Sequence, residues 1–498
     1  MSKKSVIIIG AGLAGLSAGC YAQMNGYQSR IFEHHAGPGG VAADWKRNGY
    51  TIIGGIHFIM GHHPGQPSYD LYRELGILDH NQFPVLHTYG RFIDEASGIS
   101  LTITSNLERL NQDLNTLFPA DFKIIKELIT GARVMQDCPL DMGMDKPSEL
   151  MSSKDRLKQM WHMRRAYKFY TGNCAKSISE YAQRLQSPLL RRIVKNLFVP
   201  EVPVWFILML LGQLAEGQLG LPEGGSYPFV RAIEQHYTSL GGQLTYCAPV
   251  EEILVKNDHA AGVYLADGSR HYADVVISAA DGYSTIYKLL GGRYTNSQIN
   301  ERYKNWQLFR PLFMASFGVA RDFTDEPHFN VIILRSPLNV GGKEVSKLYL
   351  RIANYSDQFA PPGKSSIQIY FKTDWTFWHE LQNTDRPGYV AEKERVAQEL
   401  LSRLEAFYPG ITSQVEMTDV ATPYTTWRYT LNHQGSYQGW LPTPEVITTQ
   451  LEKTLPGLAN FYMAGQWVMP GGGVTSCLYS GRQVLQLLCH ADHREFAR

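Results

Sequence analysis

The strongest constraint on this chain lies near its start, where Val6-Ile7-Ile8-Ile9 runs directly into Gly10-Ala11-Gly12-Leu13-Ala14-Gly15. A short β-branched run suits a buried parallel strand. In the glycine pattern, Gly10 permits the tight turn, Gly12 lets backbone approach a pyrophosphate, and Gly15 lets the following helix pack on the sheet. Leu13 and Ala14 open that helix, whose free N–H groups and positive dipole end suit phosphate. Leu16, Ala18, Gly19, Ala22 and Met24 fit one of its faces, and Asn25-Gly26 ends it. Ser29 to Phe32 is the next strand, and Glu33 at its end is placed to accept hydrogen bonds from a ribose diol. Strand, loop, helix, strand and acid in this order predict a Rossmann-like dinucleotide-binding fold.

Lys3 and Lys4 before an apolar run, with Leu16 to Cys20 behind it, also imitate a signal peptide. Cleavage at Cys20 would remove the strand and loop of a βαβ unit whose later parts follow in register, so the segment is read as retained fold.

A second glycine turn, Gly37-Pro38-Gly39-Gly40, follows Glu33, and Trp45, Gly49-Tyr50 and Gly54-Gly55-Ile56-His57 come after it. Such a turn can bring further N–H groups to a diphosphate. The stretch from Gly39 to Gly61 resembles the phytoene desaturase, carotenoid isomerase and retinol saturase group of FAD enzymes. That group has Arg or Lys right after the glycine pair. Val41 stands there in this chain, and Arg47 is a candidate replacement.

Near the other end, Asn460 to Gly465 reads as strand then turn, with Gln466 following. Gly471-Gly472-Gly473 then opens a helix with an apolar face of Val474, Cys477, Leu478, Val484, Leu485 and Leu488. This is similar to the closing FAD motif of the same group. A helix start there can stabilise negative charge on a reduced flavin ring. Leu221 to Gly225, Val250, the strand Ala273 to Asp281 with Ala280, Thr422-Pro423-Tyr424, and Gly435 to Trp440 also resemble the group. The likeness is weak over 90–220 and 291–415.

The resemblance implies FAD, bound non-covalently, contacted by Gly10, Gly12, Leu13, Ala14, Gly15, Glu33, Gly39, Gly40, Val41, Gly55, Ile56, His57, Val250, Ala280, Gly465, Gln466, Gly472, Gly473 and Val474. His57 is the candidate for a residue at the reacting edge, although a histidine among Ile56, Phe58 and Ile59 also suits a hydrogen-bonded core position. Cys477 is read as a buried thiol rather than a flavin tether. His34-His35 and His62-His63 lack metal-ligand spacing and are read as solvated turns, so no metal is expected.

The remaining sequence bears on domains and partners. The expected fold class is α/β: a discontinuous Rossmann-like FAD-binding domain (1–85, 222–290 and 455–498) with a mixed substrate domain. That second part comprises a helical, membrane-facing region over 86–221 and an antiparallel sheet over 291–454, with strands at Leu312 to Val319, Leu348 to Ala353 and Ile367 to Phe371. A net charge of +1 gives no field to draw in a polyanion, so nucleic acid is not expected as a partner. Six scattered cysteines without a CxxC pair read as reduced thiols of a cytoplasmic protein. No run is long enough to span a bilayer. The apolar run over 202–214 is either core, the lining of a lipid tunnel, or a peripheral contact that dips into a bilayer face, given the basic, aromatic stretch before it.

By resemblance, the chain is an FAD-dependent oxidoreductase acting on carbon–carbon bonds of a hydrophobic isoprenoid or lipid, by desaturation, saturation or isomerisation. Nothing in the sequence assigns an electron acceptor. A flavin amine oxidase shares the expected architecture. A lipid-escort protein of the dissociation-inhibitor kind shares it too, but without redox chemistry.

Overall fold

The computed structural model describes residues 3–138 and 144–498. Its organising layer is a five-stranded parallel sheet, in the order Phe461–Met463, Val275–Ser278, Ser5–Ile9, Gln28–Phe32, Gln243–Thr245. The near-continuous apolar strands lie at the centre, where both faces are covered. Val6 and Ile8 point to helices Leu13–Met24, Ser226–Ser239 and Val474–Ala491. Ile7 and Ile9 point the other way, to a three-stranded antiparallel sheet of Val250–Lys256, His259–Leu265 and Arg270–Tyr272. The stretch Tyr272 to Ser278 is therefore two strands. Arg270–Tyr272 closes the hairpin, and Val275–Ser278 enters the parallel sheet.

The second layer is a seven-stranded mixed sheet. Its order is Val415–Ala421, Leu312–Val319, Ser365–Lys372, Lys343–Ala353, Phe329–Val340, Thr88–Asp94, Ser100–Thr104. Helix Arg386–Phe407 covers one face with Val396, Leu400 and Leu404. The region 86–221, expected to be helical, begins with two of these strands. Thr88–Asp94 pairs in parallel with Phe329–Val340, a long-range partner that its own sequence cannot announce.

The rest of that region is helical and has its own core. Helix Trp205–Ala215 is apolar on all sides, and such a helix is buried rather than amphipathic. Trp205, Ile207, Leu208, Leu210, Leu211 and Leu214 are all buried. A Cβ on Gly212 would meet the Ala132 carbonyl oxygen at 2.6 Å, so glycine lets this helix seat tightly against Phe122–Gln136. The run 202–214 is therefore largely core, and its Trp205, Phe206 and Met209 also line the cavity described below. Among the described residues, no helix is long and apolar enough to cross a membrane.

Candidate active site

The two layers enclose one cavity of about 1070 Å³. One end of it is a backbone-lined groove at the carboxyl edge of the parallel sheet. Gly10 takes φ +97°, and its N–H donates to the Phe32 carbonyl at 2.8 Å. Gly15 lies directly beneath it, where a Cβ would overlap the Gly10 carbonyl oxygen. Gly12 differs: the nearest atom to an added Cβ is the Gly39 carbonyl oxygen at 4.0 Å, so that position faces open groove. The Gly39 N–H donates to the Ala11 carbonyl at 2.9 Å, which clamps the second glycine turn onto the first.

Glu33 lines the groove and braces it. Its Oε2 accepts the Ala11 N–H at 2.6 Å, and its Oε1 accepts the His35 N–H at 2.8 Å. A carboxylate has about four acceptor positions, so lone pairs remain for a diol.

The second glycine segment is held by a residue the sequence reading did not single out. The half-buried Asp44 carboxylate accepts N–H groups from Gly54 at 3.2 Å, from Tyr227 at 2.9 Å and from Ser226. It thereby caps helix Ser226–Ser239 and ties it to the glycine pair. Burial raises its pKa against those bonds. A capping acid 182 positions from its helix leaves no local signal. A Cβ on Gly55 would meet Ala42 Cα at 2.5 Å, so backbone alone fits there.

From the far end of the chain, Gly465 donates its N–H to Ser480 Oγ at 2.7 Å. Gly471, Gly472 and Gly473 all take positive φ and deliver the N-terminus of helix Val474–Ala491 to the same cavity. Two helix starts, at Leu13 and at Val474, thus border one groove. Among the residues expected to contact a cofactor, Gly10, Gly12, Leu13, Ala14, Glu33, Gly39, Gly40, Val41, Gly55, Ile56, His57, Val250, Ala280, Gly465, Gln466, Gly472, Gly473 and Val474 all line the cavity. Gly15 does not; it is spent on packing. Arg47 is also elsewhere. It is exposed and ion-paired with Asp419 at 3.1 Å, so it does not replace the basic residue missing at Val41.

These residues fit a flavin dinucleotide. The groove offers backbone N–H groups, two positive helix ends and a clear channel at Gly12 where a diphosphate needs space. Cys477 lines the cavity, and burial pushes its thiol up to about 12, which leaves no thiolate near neutral pH.

Beyond the groove the cavity widens into a chamber walled by Phe58, Trp205, Phe206, Met209, Phe309 and Phe329, among others. His57 stands at the junction. Its Nδ1 is buried and has no hydrogen-bond partner among the described residues, and its ring lies 5.7 Å from that of Tyr370. His62, expected in a solvated turn, is buried instead. Its ring lies 4.1 Å from that of His63, and burial lowers its pKa to about 4. Among the described residues, no group of three or more His, Cys, Asp or Glu side chains is placed to hold a metal ion.

The sequence reading missed the chamber's polar ceiling. Lys347, Tyr349 and Arg351 alternate along one strand, and Tyr370 and Lys372 along its neighbour. The period-two pattern Lys-Leu-Tyr-Leu-Arg was the available signal.

Comparison with known proteins gives the frame. The family described as flavin containing amine oxidoreductase matches residues 13–488. A chloroplastic prolycopene isomerase of Daucus carota is 25% identical, over 95% of this chain and 78% of its own length. A lycopene-forming phytoene desaturase of Pseudescherichia vulneris is 24% identical, over 97% of this chain and 99% of its own. Among solved structures, an oxidoreductase from Methanosarcina mazei superposes with a TM-score of 0.62 at 18% identity, covering 97% of this chain and 100% of its own.

Proposed function

The chain belongs to the flavin containing amine oxidoreductase family and is a flavin-dependent oxidoreductase; from that premise we propose that it binds FAD non-covalently and acts on carbon–carbon bonds of a long isoprenoid polyene. The observation that carries this reading is the continuity of one cavity, from a backbone-lined dinucleotide groove into an aromatic chamber. The relatives, a prolycopene isomerase and a lycopene-forming phytoene desaturase, support the same reading.

FAD would supply hydride exchange at its ring system. The chain's own residues do the rest. The helix starts at Leu13 and Val474 hold negative charge at the two ends of the groove. Phe58, Phe206, Met209 and Phe329 exclude water and align an apolar skeleton. His57, which lines the cavity with its Nδ1 unpartnered among the described residues, would face the reacting edge. The inert Cys477 thiol supports a non-covalent attachment.

A cationic amine fits this chamber poorly, because Arg351 and Lys372 line it. Anaerobic mixing with carotenoid precursors, retinoids and amines tests the reading through the flavin absorbance. Bleaching by an amine alone would remove the carbon–carbon assignment.

We infer that the chamber is supplied from an anionic bilayer surface at helix Ser153–Met163, rather than through the buried run 202–214. Leu157, Met160 and Trp161 share one face of that helix and are 65–69% exposed. Lys154, Arg156, Lys158, Arg164, Arg165 and Lys168 surround them with one acid, Asp155. Gln159 and Met163, on the other face, line the cavity. Exposed apolar side chains inside a basic collar match a negatively charged lipid surface in both respects. The resulting attachment to the membrane would be peripheral.

A further inference from the structure

A chamber built only for hydrocarbon would have no use for permanent charge, yet this one holds a buried guanidinium. Arg351 lines the cavity and is 5% exposed. Its guanidinium lies 5.7 Å from the Tyr370 ring. Among the described residues, no carboxylate forms a salt bridge with it. Arginine does not escape burial by losing its proton, and an uncompensated buried charge is costly.

Lys372 repeats the pattern. Tyr349 pairs with Tyr370 and Arg351 with Gln368; the same antiparallel register carried outward sets Lys347 opposite Lys372. Two ammonium groups facing each other across strands repel. Lys347 is engaged by the Asn196 amide oxygen, whereas Lys372 lines the cavity and has no ion pair among the described residues. Glu201 is the carboxylate whose field reaches both lysines, and its Oε2 is buried without a partner of its own. Burial lowers Lys372 to about 8, which still leaves it mostly charged at neutral pH. The wall thus presents two cations to the chamber, Arg351 and Lys372, while Lys347, which does not line it, is held by Asn196.

We propose that the substrate is an amphipathic polyene, an apolar chain ending in a carboxylate, and that Arg351 receives that carboxylate while Lys372, further along the same wall, adds to the positive field. This rests on the carbon–carbon reading above and adds the head group to it. A carboxylate suits the buried guanidinium, whose planar fork matches its two oxygens.

The test uses the flavin-loaded protein and three probes of similar length, presented in the same detergent: all-trans-retinoic acid, its methyl ester, and a hydrocarbon polyene. Binding is read from the perturbation of the flavin spectrum. We expect the acid to bind at least tenfold tighter than the ester. Lys372→Met, at a partly exposed position that the fold tolerates, should shrink that preference, and Arg351→Met should abolish it. Arg351→Lys should restore part of it. Flavin content and melting temperature show whether each variant is folded; the wild-type comparison of acid with ester stands without any of them. Equal binding of acid, ester and hydrocarbon would overturn the carboxylate assignment and leave the carbon–carbon reading standing. No flavin perturbation by any of the three would remove both.

Discussion

Gly15 sits so close beneath Gly10 that a methyl group on the first would overlap the carbonyl oxygen of the second. Three residues earlier in the chain, Gly12 has open groove where its Cβ would be. The two glycines should therefore fail differently. Gly15→Ala should disrupt the packing of helix on sheet, lowering stability by several kcal/mol, on the order of a severe overpacking. Gly12→Val should leave melting of the flavin-free protein nearly unchanged while abolishing flavin loading. Thermal melts and the flavin absorbance of purified variants separate the cases. A fully loaded Gly12→Val protein would contradict the assignment of the groove.

Replacing His57 by alanine should slow flavin reduction by substrate at least about tenfold, or ~1.4 kcal/mol of barrier. Flavin affinity should change less, because backbone supplies most of the groove. Anaerobic stopped-flow absorbance gives the first quantity and flavin titration the second. A variant that loses cofactor but reduces normally when saturated would return His57 to a packing role.

Cys477 borders the cavity with its thiol held near pKa 12 by burial. Alkylating agents should leave it unmodified at pH 8, and Cys477→Ala should keep its full flavin complement. Acid precipitation should release the flavin into the supernatant. Yellow colour retained in the pellet would show a covalent link.

Asp281 carries a pH signature of unusual sign. It is 3% exposed, and burial raises its pKa to about 6, although the Ser284 and His433 N–H groups donate to it. Between its unfolded value near 3.8 and its folded value, the native state binds the extra proton. Its contribution to stability therefore falls as pH rises through that window, by roughly 3 kcal/mol. Denaturant unfolding at pH 4 and pH 6.5 should show this fall in the wild type. Asp281→Asn, neutral throughout, should show a smaller one. Identical pH slopes would place the titration elsewhere.

Vesicles of mixed phosphatidylserine and phosphatidylcholine should retain the protein in flotation, and neutral vesicles should retain less. Replacing Leu157, Met160 and Trp161 by serine should release it without loss of flavin. Polar substitution at Leu208, inside the core, should instead unfold the helical region. Unchanged flotation of the triple variant would rule out this surface.

The groove was legible in the sequence because its requirements are local. The turn at Gly10, the open backbone at Gly12 and the helix starts at Leu13 and Val474 each lie within a few residues of the motif that announces them. Partners far apart in the chain were not legible. Asp44 caps a helix that starts at Ser226, Thr88–Asp94 finds its neighbour at Phe329–Val340, and Arg47 is drawn away by Asp419. The apolar run 202–214 shows the limit of composition. The same residues suit a bilayer face or a protein interior, and the close seat that Gly212 allows against Ala132 decides for the interior. The ceiling was partly legible, since alternation alone puts Lys347, Tyr349 and Arg351 on one face, but strand pairing was needed to reveal which face meets the cavity.

The parallel sheet has a consequence for how the molecule comes into being. Its central strand, Ser5–Ile9, pairs with Val275–Ser278, which in turn pairs with Phe461–Met463. A ribosome therefore releases the first strand hundreds of residues before the third exists, and the early segments must wait with apolar edges uncovered. The groove cannot close until the Gly471–Gly473 turn has emerged. Cofactor capture is thus a late event in biogenesis, and a cell short of riboflavin should accumulate full-length, flavin-free chains that are more vulnerable to proteolysis.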